Sequence, residues 1–141
     1  MTGPVTELRR LLRETMTFHD LPDADSYSIR ELSEFLNVSL RTLRFYEQSG
    51  LLKPTRQGSR RLYSPEDAER LSVIVTLREL EVSVPAIKRL LHSMDQTGSL
   101  RDVRPELTQI LAALESDNSA RIDELTRINS RLGDARKALT S

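Results

Sequence analysis

Arg41 and Arg44 stand three residues apart, with Thr42 between them and Phe45 three residues beyond Thr42. On a helix that spacing puts both guanidinium groups on one face. A guanidinium can bind guanine bidentately, and a threonine can donate, accept or touch a thymine methyl. An α-helix fits the major groove of DNA and reads base edges from its N-terminal turns. Ser39, Arg41 and Thr42 sit where that first turn would be. Arg44, Tyr46 and the downstream cations Lys53, Arg56, Arg60 and Arg61, with Tyr63, would hold phosphates, which supplies affinity without sequence information. Of the adjacent rings Phe45 and Tyr46, one is expected to pack and the other to present a polar tip to the backbone. For any single Arg, a solvated surface role competes with this reading; the placement of the set on one helix and the adjoining loop favours an anionic partner.

The charge balance points to the same place. Lys plus Arg and Asp plus Glu both number 21, so the 141-residue chain is formally neutral. Residues 1–25 carry 3 basic and 5 acidic groups, residues 26–64 carry 7 and 3, and residues 65–141 carry 11 and 13. No acid occurs between Gln48 and Pro65. A basic strip on a neutral chain suggests one polyanion at one site, with a solvated charged loop as the plain alternative.

Catalytic chemistry finds no such support. The two histidines, His19 and His92, lie far apart. The carboxylate pairs Asp23/Asp25, Glu66/Asp67 and Asp123/Glu124 sit at helix starts or on polar faces, where acids cap and solvate. No Gly-rich phosphate loop, metal-ligand spacing or nucleophile–base set is present. The absence of cysteine excludes disulfides and thiolate zinc sites. No catalytic residue, metal or cofactor is expected. No apolar run is long enough for a signal peptide or membrane span, so a cytoplasmic, nucleoid-associated location is expected, without membrane contact.

The elements that must hold these residues follow from caps and periodicity. Ser28 and Glu31 form an S-x-x-E capping box, and Ile29, Leu32 and Leu36 have helical spacing. Asn37 suits the left-handed residue that ends a helix, Val38 is expected buried in the turn, and Ser39 caps a second helix closed by Gly50. Leu40 and Leu43 face inward. Two short helices so joined form a helix-turn-helix. Residues 51–64 then read as a hairpin, a wing whose tip lies near Gln57 to Ser59. Ser64-Pro65-Glu66-Asp67 opens another helix, bearing Leu71, Ile74, Val75 and Leu77. Ser83 with Pro85 opens the next, bearing Ile87, Leu90 and Leu91, and "HSMDQTGSL" reads as a loop. Ahead of all this, Leu8, Leu11, Leu12 and Met16 suggest a frayed helix and linker, with disorder as the competing reading.

From about Pro105 to about Leu139 the seam Leu107, Leu111, Leu114, Asn118, Arg121, Leu125, Ile128, Leu132, Ala135 and Leu139 alternates steps of four and three, an unbroken heptad frame. Such a helix spans about 50 Å. Its apolar seam asks for a partner helix, most simply a second copy of the chain. At Asn118 and Arg121 two readings stay open: a polar pair that fixes register, or a slip in which Ile122 takes over the packing.

The order of elements and the residues "SIRELSEFLNVSLRTLRFYEQSGLL", Arg61-Leu62-Tyr63-Ser64 and "PEDAERL" resemble the mercury-resistance regulator (MerR) family of bacterial transcription regulators, over about Tyr27 to Leu91. The resemblance implies a mainly α fold: a winged helix-turn-helix DNA-binding head with two further helices, then a long C-terminal helix forming an antiparallel coiled-coil homodimer. It divides the chain into an extension at 1–26, a head at 27–98 and a dimerisation segment at 99–141, paired through Leu107, Leu111, Leu114, Asn118, Leu125, Ile128, Leu132 and Leu139. It implies double-stranded promoter DNA with a palindromic operator as partner, distortion of the promoter spacer, and RNA polymerase as an indirect partner. Two departures stand out. The wing has Ser59-Arg60-Arg61 where the family often has Gly-Tyr-Arg. Glu81-Val82 replaces a usual glycine before the next helix. The metal and redox sensors of the family use C-terminal cysteines and the drug sensors a large ligand domain; neither is expected here, and the effector is left unspecified. The alternative is a coiled-coil interaction module whose head binds a protein.

Overall fold

The structure, a computed structural model, describes residues 3–15, 20–57 and 60–141, and their side chains except those of residues 15, 55–57, 60 and 61. Met16 and His19, the wing tip at Gly58 and Ser59, and the side chains of Arg56, Arg60 and Arg61 thus lie outside the described residues. Two compact units are present, Met1–Pro105 and Glu106–Ser141.

The helix-turn-helix forms from its caps. Helix α2 (Ile29–Leu36) carries the complete capping box: Ser28 N–H donates to Glu31 Oε1 at 3.0 Å and Glu31 N–H to Ser28 Oγ at 3.1 Å. It ends on Asn37 in the left-handed region, φ 53°, a conformation that Asn tolerates better than most residues. Val38 is half-buried rather than buried, because its N–H turns back to Ser33 O at 3.1 Å and keeps the residue near the surface. Helix α3 (Leu40–Gln48) starts on Ser39, whose Oγ accepts from Thr42 N–H at 3.0 Å. Its C-cap is Ser49, and Gly50 follows at φ 83°, letting Leu51 N–H reach Tyr46 O at 3.0 Å.

The wing is part of a three-stranded antiparallel sheet. Strand β1 (Tyr27–Ser28) lies beside β3 (Arg60–Tyr63), which lies beside β2 (Thr55–Gln57). Register pairs Thr55 with Leu62, Arg56 with Arg61 and Gln57 with Arg60. Pairing of Tyr27 with Tyr63 and Ser28 with Leu62 ties the hairpin to the start of α2.

Helix α4 (Pro65–Glu79) is capped by Ser64. It is buried continuously from Leu71 to Leu77, so no polar face interrupts that stretch. The cause is α1 (Pro4–Thr15), which packs on α4 and α5. Leu8 is 4% exposed, Thr6 Oγ1 donates to Glu69 at 2.5 Å, and Arg9 Nε donates to the buried Ser72 Oγ at 3.2 Å. Within the described residues the extension is an ordered helix on the head. Leu8→Ala is expected to cost about 2 kcal/mol or more of head stability, as buried leucine truncations do. Urea denaturation measures it, and an unchanged midpoint would mean that α1 contributes nothing.

Helix α5 (Val84–Thr97) begins on the Ser83 cap and runs into the segment expected as a loop. Met94 is fully buried at 0% exposure, one turn beyond Leu90 and Leu91. The helix stops only at Gly98, in the left-handed region with φ 68°. The turn between α4 and α5 places Glu81 at φ 68°, where an L side chain is strained. Val82 N–H still closes on Leu77 O at 3.0 Å. Substituting Glu81→Gly should therefore raise stability by up to about 1 kcal/mol, the relieved strain exceeding the entropy that glycine adds to the unfolded chain. A lowered melting midpoint would contradict that account.

Helix α6 (Arg104–Thr140) is 37 residues long. Its exposed large apolar side chains are Ile122, Leu125, Ile128, Leu132 and Leu139, while Leu107 is buried and Leu111 and Leu114 are half-buried.

Candidate nucleic-acid interface

Helix α3 separates its residues cleanly by face. Leu43 (1% exposed) and Tyr46 (4%) point into the head. Arg41 and Arg44 are exposed, and Phe45, four residues after Arg41, is 50% exposed. The aromatic pair is split, but opposite to the expectation that one ring packs while the other presents a polar tip to the phosphates. Tyr46 packs, and the ring left at the surface is Phe45, which has no polar tip. The rings stay neighbours, with centroids 6.1 Å apart and planes tilted by 52°. Helical spacing could have settled this beforehand: Tyr46 lies three residues from inward Leu43, and Phe45 four from outward Arg41.

Burial pushes the Tyr46 phenol pKa upward, and the hydrogen-bonded Arg78 guanidinium offsets part of that rise. Its hydroxyl thus has a partner inside the protein. Tyr63 is likewise in the core, 1% exposed, with its hydroxyl donating to Glu47 Oε1. That bond joins the last strand of the wing to the end of α3. Neither tyrosine ring belongs to the exposed surface; both hold it in place.

The start of α3 is preorganised. Ser39 Oγ accepts from Thr42 N–H and donates to Thr42 Oγ1 at 2.9 Å. Thr42 is half-buried; its hydroxyl proton and methyl group remain for an external partner. Arg41 is beside it, with no acid in the first turn of the helix. Leu40, expected to face inward, is half-buried.

Lys53 is exposed and lines a shallow cleft with Gly50, Lys88, His92 and Asp67. It thus extends the basic surface toward α5 as well as toward the wing. For Arg56, Arg60 and Arg61 the backbone register alone is described. Among the described residues no group of His, Asp or Glu could hold a metal ion.

An exposed cationic helix face, a rigid first turn and an adjoining hairpin with arginines in its sequence can grip a polyanion and read it.

Comparison with known proteins agrees with this geometry. The family described as MerR HTH family regulatory protein matches residues 27–94. The HTH-type transcriptional regulator ZntR homolog of Haemophilus influenzae is 30% identical over 115 residues, covering 80% of this chain and 83% of that protein. The crystal structure of HiNmlR, a MerR family regulator lacking the sensor domain, bound to promoter DNA, is similar with a TM-score of 0.55 and 26% identity, covering 74% of this chain and 79% of that one. A MerR family transcriptional regulator from Bacillus cereus shares the fold at a TM-score of 0.65 and 22% identity, over 82% of this chain and 84% of that one.

Proposed function

The chain belongs to the MerR family of helix-turn-helix regulatory proteins, and on that premise we propose that it binds a palindromic promoter operator as a homodimer and distorts the promoter spacer. It is a DNA-binding transcription regulator and not an enzyme. RNA polymerase is its indirect partner. The observation that carries the residue-level reading is the face of α3 where Arg41, Arg44 and Phe45 are exposed together above buried Leu43 and Tyr46.

Arg41 and Thr42 read base edges, and Phe45 offers an apolar surface to a thymine methyl. Ser39 orders the first turn. Arg44, Lys53 and the wing cations Arg56, Arg60 and Arg61 grip phosphates. Tyr46 and Tyr63 act from the core by fixing α3 and the wing. Residues 27–98 form the DNA-binding head, 1–26 an extension whose helix α1 packs on α4, and 99–141 the dimerisation segment. No helix among the described residues is long and apolar enough to cross a membrane, which fits action at the bacterial nucleoid in the cytoplasm.

Salt dependence tests the phosphate part. Five proposed phosphate cations per protomer make about ten per dimer, so log K should fall with log salt at a slope near about −9. Arg61→Ala should weaken all sequences alike and flatten the slope by about two, one contact per half-site. Affinity independent of salt would overturn the reading.

A further inference from the structure

The seam of α6 has an internal symmetry. Between Leu107 and Leu132 its eight positions are three apolar residues, then Asn118 and Arg121, then three apolar residues. Read backwards, this set maps onto itself about a point between Ser119 and Ala120. Of this set Leu125, Ile128, Leu132, Asn118 and Arg121 are exposed and Leu111 and Leu114 half-buried, while Leu107 is buried. A second copy of the chain is therefore the occupant whose pattern matches this surface.

We propose that two α6 helices pair antiparallel in one register, with the two-fold axis between Ser119 and Ala120 and a central polar layer in which Asn118 of each chain faces Arg121 of the partner subunit. The proposal rests on the antiparallel homodimer that the family resemblance implies, and adds its register and the device that sets it. In this register Leu111 meets the partner's Ile128 and Leu114 the partner's Leu125, and the partner's Leu132 comes level with Leu107, which its own protomer already buries. Every apolar residue faces an apolar residue. The Asn118 carbonyl accepts from the guanidinium opposite it, which gives each central polar residue a polar partner.

The competing arrangements leave a defect. A parallel pair sets Arg121 against Arg121 in the seam, two like charges at close quarters. An antiparallel pair shifted by one heptad in one direction sets Asn118 against Ile128 and Arg121 against Leu125. The opposite shift sets Asn118 against Leu114 and Arg121 against Leu111. Either shift buries four polar side chains per dimer without partners, which is costly. Polar residues at seam positions are known to select register and orientation in this way. Asp117 and Glu124 flank Arg121 four residues before and three after it, so carboxylates from both helices surround the two central guanidinium groups. This register leaves Ile122, 62% exposed in the protomer, beside the seam.

The 141-residue chain has no cysteine, so cross-linking of thiols introduced into it reports register directly. The double variant Leu114→Cys/Leu125→Cys should link into a covalent dimer with a short bismaleimide. Leu114→Cys alone and Leu125→Cys alone should stay unlinked, as should Leu114→Cys/Leu132→Cys. Adding Asn118→Leu and Arg121→Leu to the Leu114→Cys chain should then permit self-linking, because the orientation signal is gone. Self-linking of Leu114→Cys in the otherwise natural chain would establish a parallel pair, and linking of the Leu114→Cys/Leu132→Cys chain a shifted one; either overturns the register while leaving the homodimer intact. A monomer by sedimentation at micromolar concentration would overturn the homodimer reading itself.

Discussion

Arg41→Ala is expected to abolish preference at one base position in each half-site. A bidentate arginine–guanine contact discriminates by about 1–3 kcal/mol, so two half-sites lose roughly 2–6 kcal/mol of specific affinity. At about 1.4 kcal/mol per tenfold, that is a loss of about thirtyfold or more for the cognate operator. Binding to unrelated DNA should weaken far less, since phosphate contacts supply it. The fold should be untouched, because Arg41 is exposed and the cap that starts the helix belongs to Ser39 and Thr42. Competition binding against a panel of single-base operator variants measures the effect. A variant that binds every sequence equally less well, with its preferences intact, would demote Arg41 to a phosphate contact.

The second large effect concerns the seam. Leu125 and Leu132 are 63% and 61% exposed in the protomer, so a charge at either should leave the protomer folded. In a dimer each would be covered. Leu125→Glu removes two buried leucines per dimer, about 1.5 kcal/mol or more apiece. Dimerisation should weaken at least about 100-fold. Sedimentation should then find a monomer whose heat-unfolding of the head is unchanged, and operator affinity should drop to that of a single half-site. A variant still dimeric at low micromolar concentration would show that the seam beyond Asn118 is not the interface.

Much of the head was legible because its local signals are chemical. Ser28, Ser39, Ser64 and Ser83 each accept a hydrogen bond from the backbone three residues on, as their contexts implied. Gly50 and Asn37 take positive φ as expected. What escaped notice had weak or misleading local signals. Strand β1 is two residues long, too short for alternation to register. The polar run after Leu91 looked like a loop, yet Met94 continues the buried stripe and no breaker precedes Gly98. The packing of α1 depends on contacts some sixty residues away in sequence, Thr6 with Glu69 and Arg9 with Ser72. Such pairings have no local signature. The stretch of α4 from Leu71 to Leu77, which carries no charge and only Ser72 and Thr76 as polar residues, was a clue, since a helix buried on all sides needs a second neighbour.

The residues proposed to bind DNA were legible as a group and not in detail. Arg41, Thr42 and Arg44 stand on the helix face their spacing predicted. Tyr46 and Tyr63 do not share that surface, because amphipathic rings next to a small core bury their apolar area when the hydroxyl finds an internal partner. Arg78 supplies that partner for Tyr46, and Glu47 for Tyr63.

The account is tested most directly by selecting DNA from a random duplex pool with the full-length protein. It predicts enrichment of an inverted repeat, with one position in each half-site lost when the selection is repeated with Arg41→Ala. Enrichment of a single unpaired site, or of no sequence at all, would contradict it.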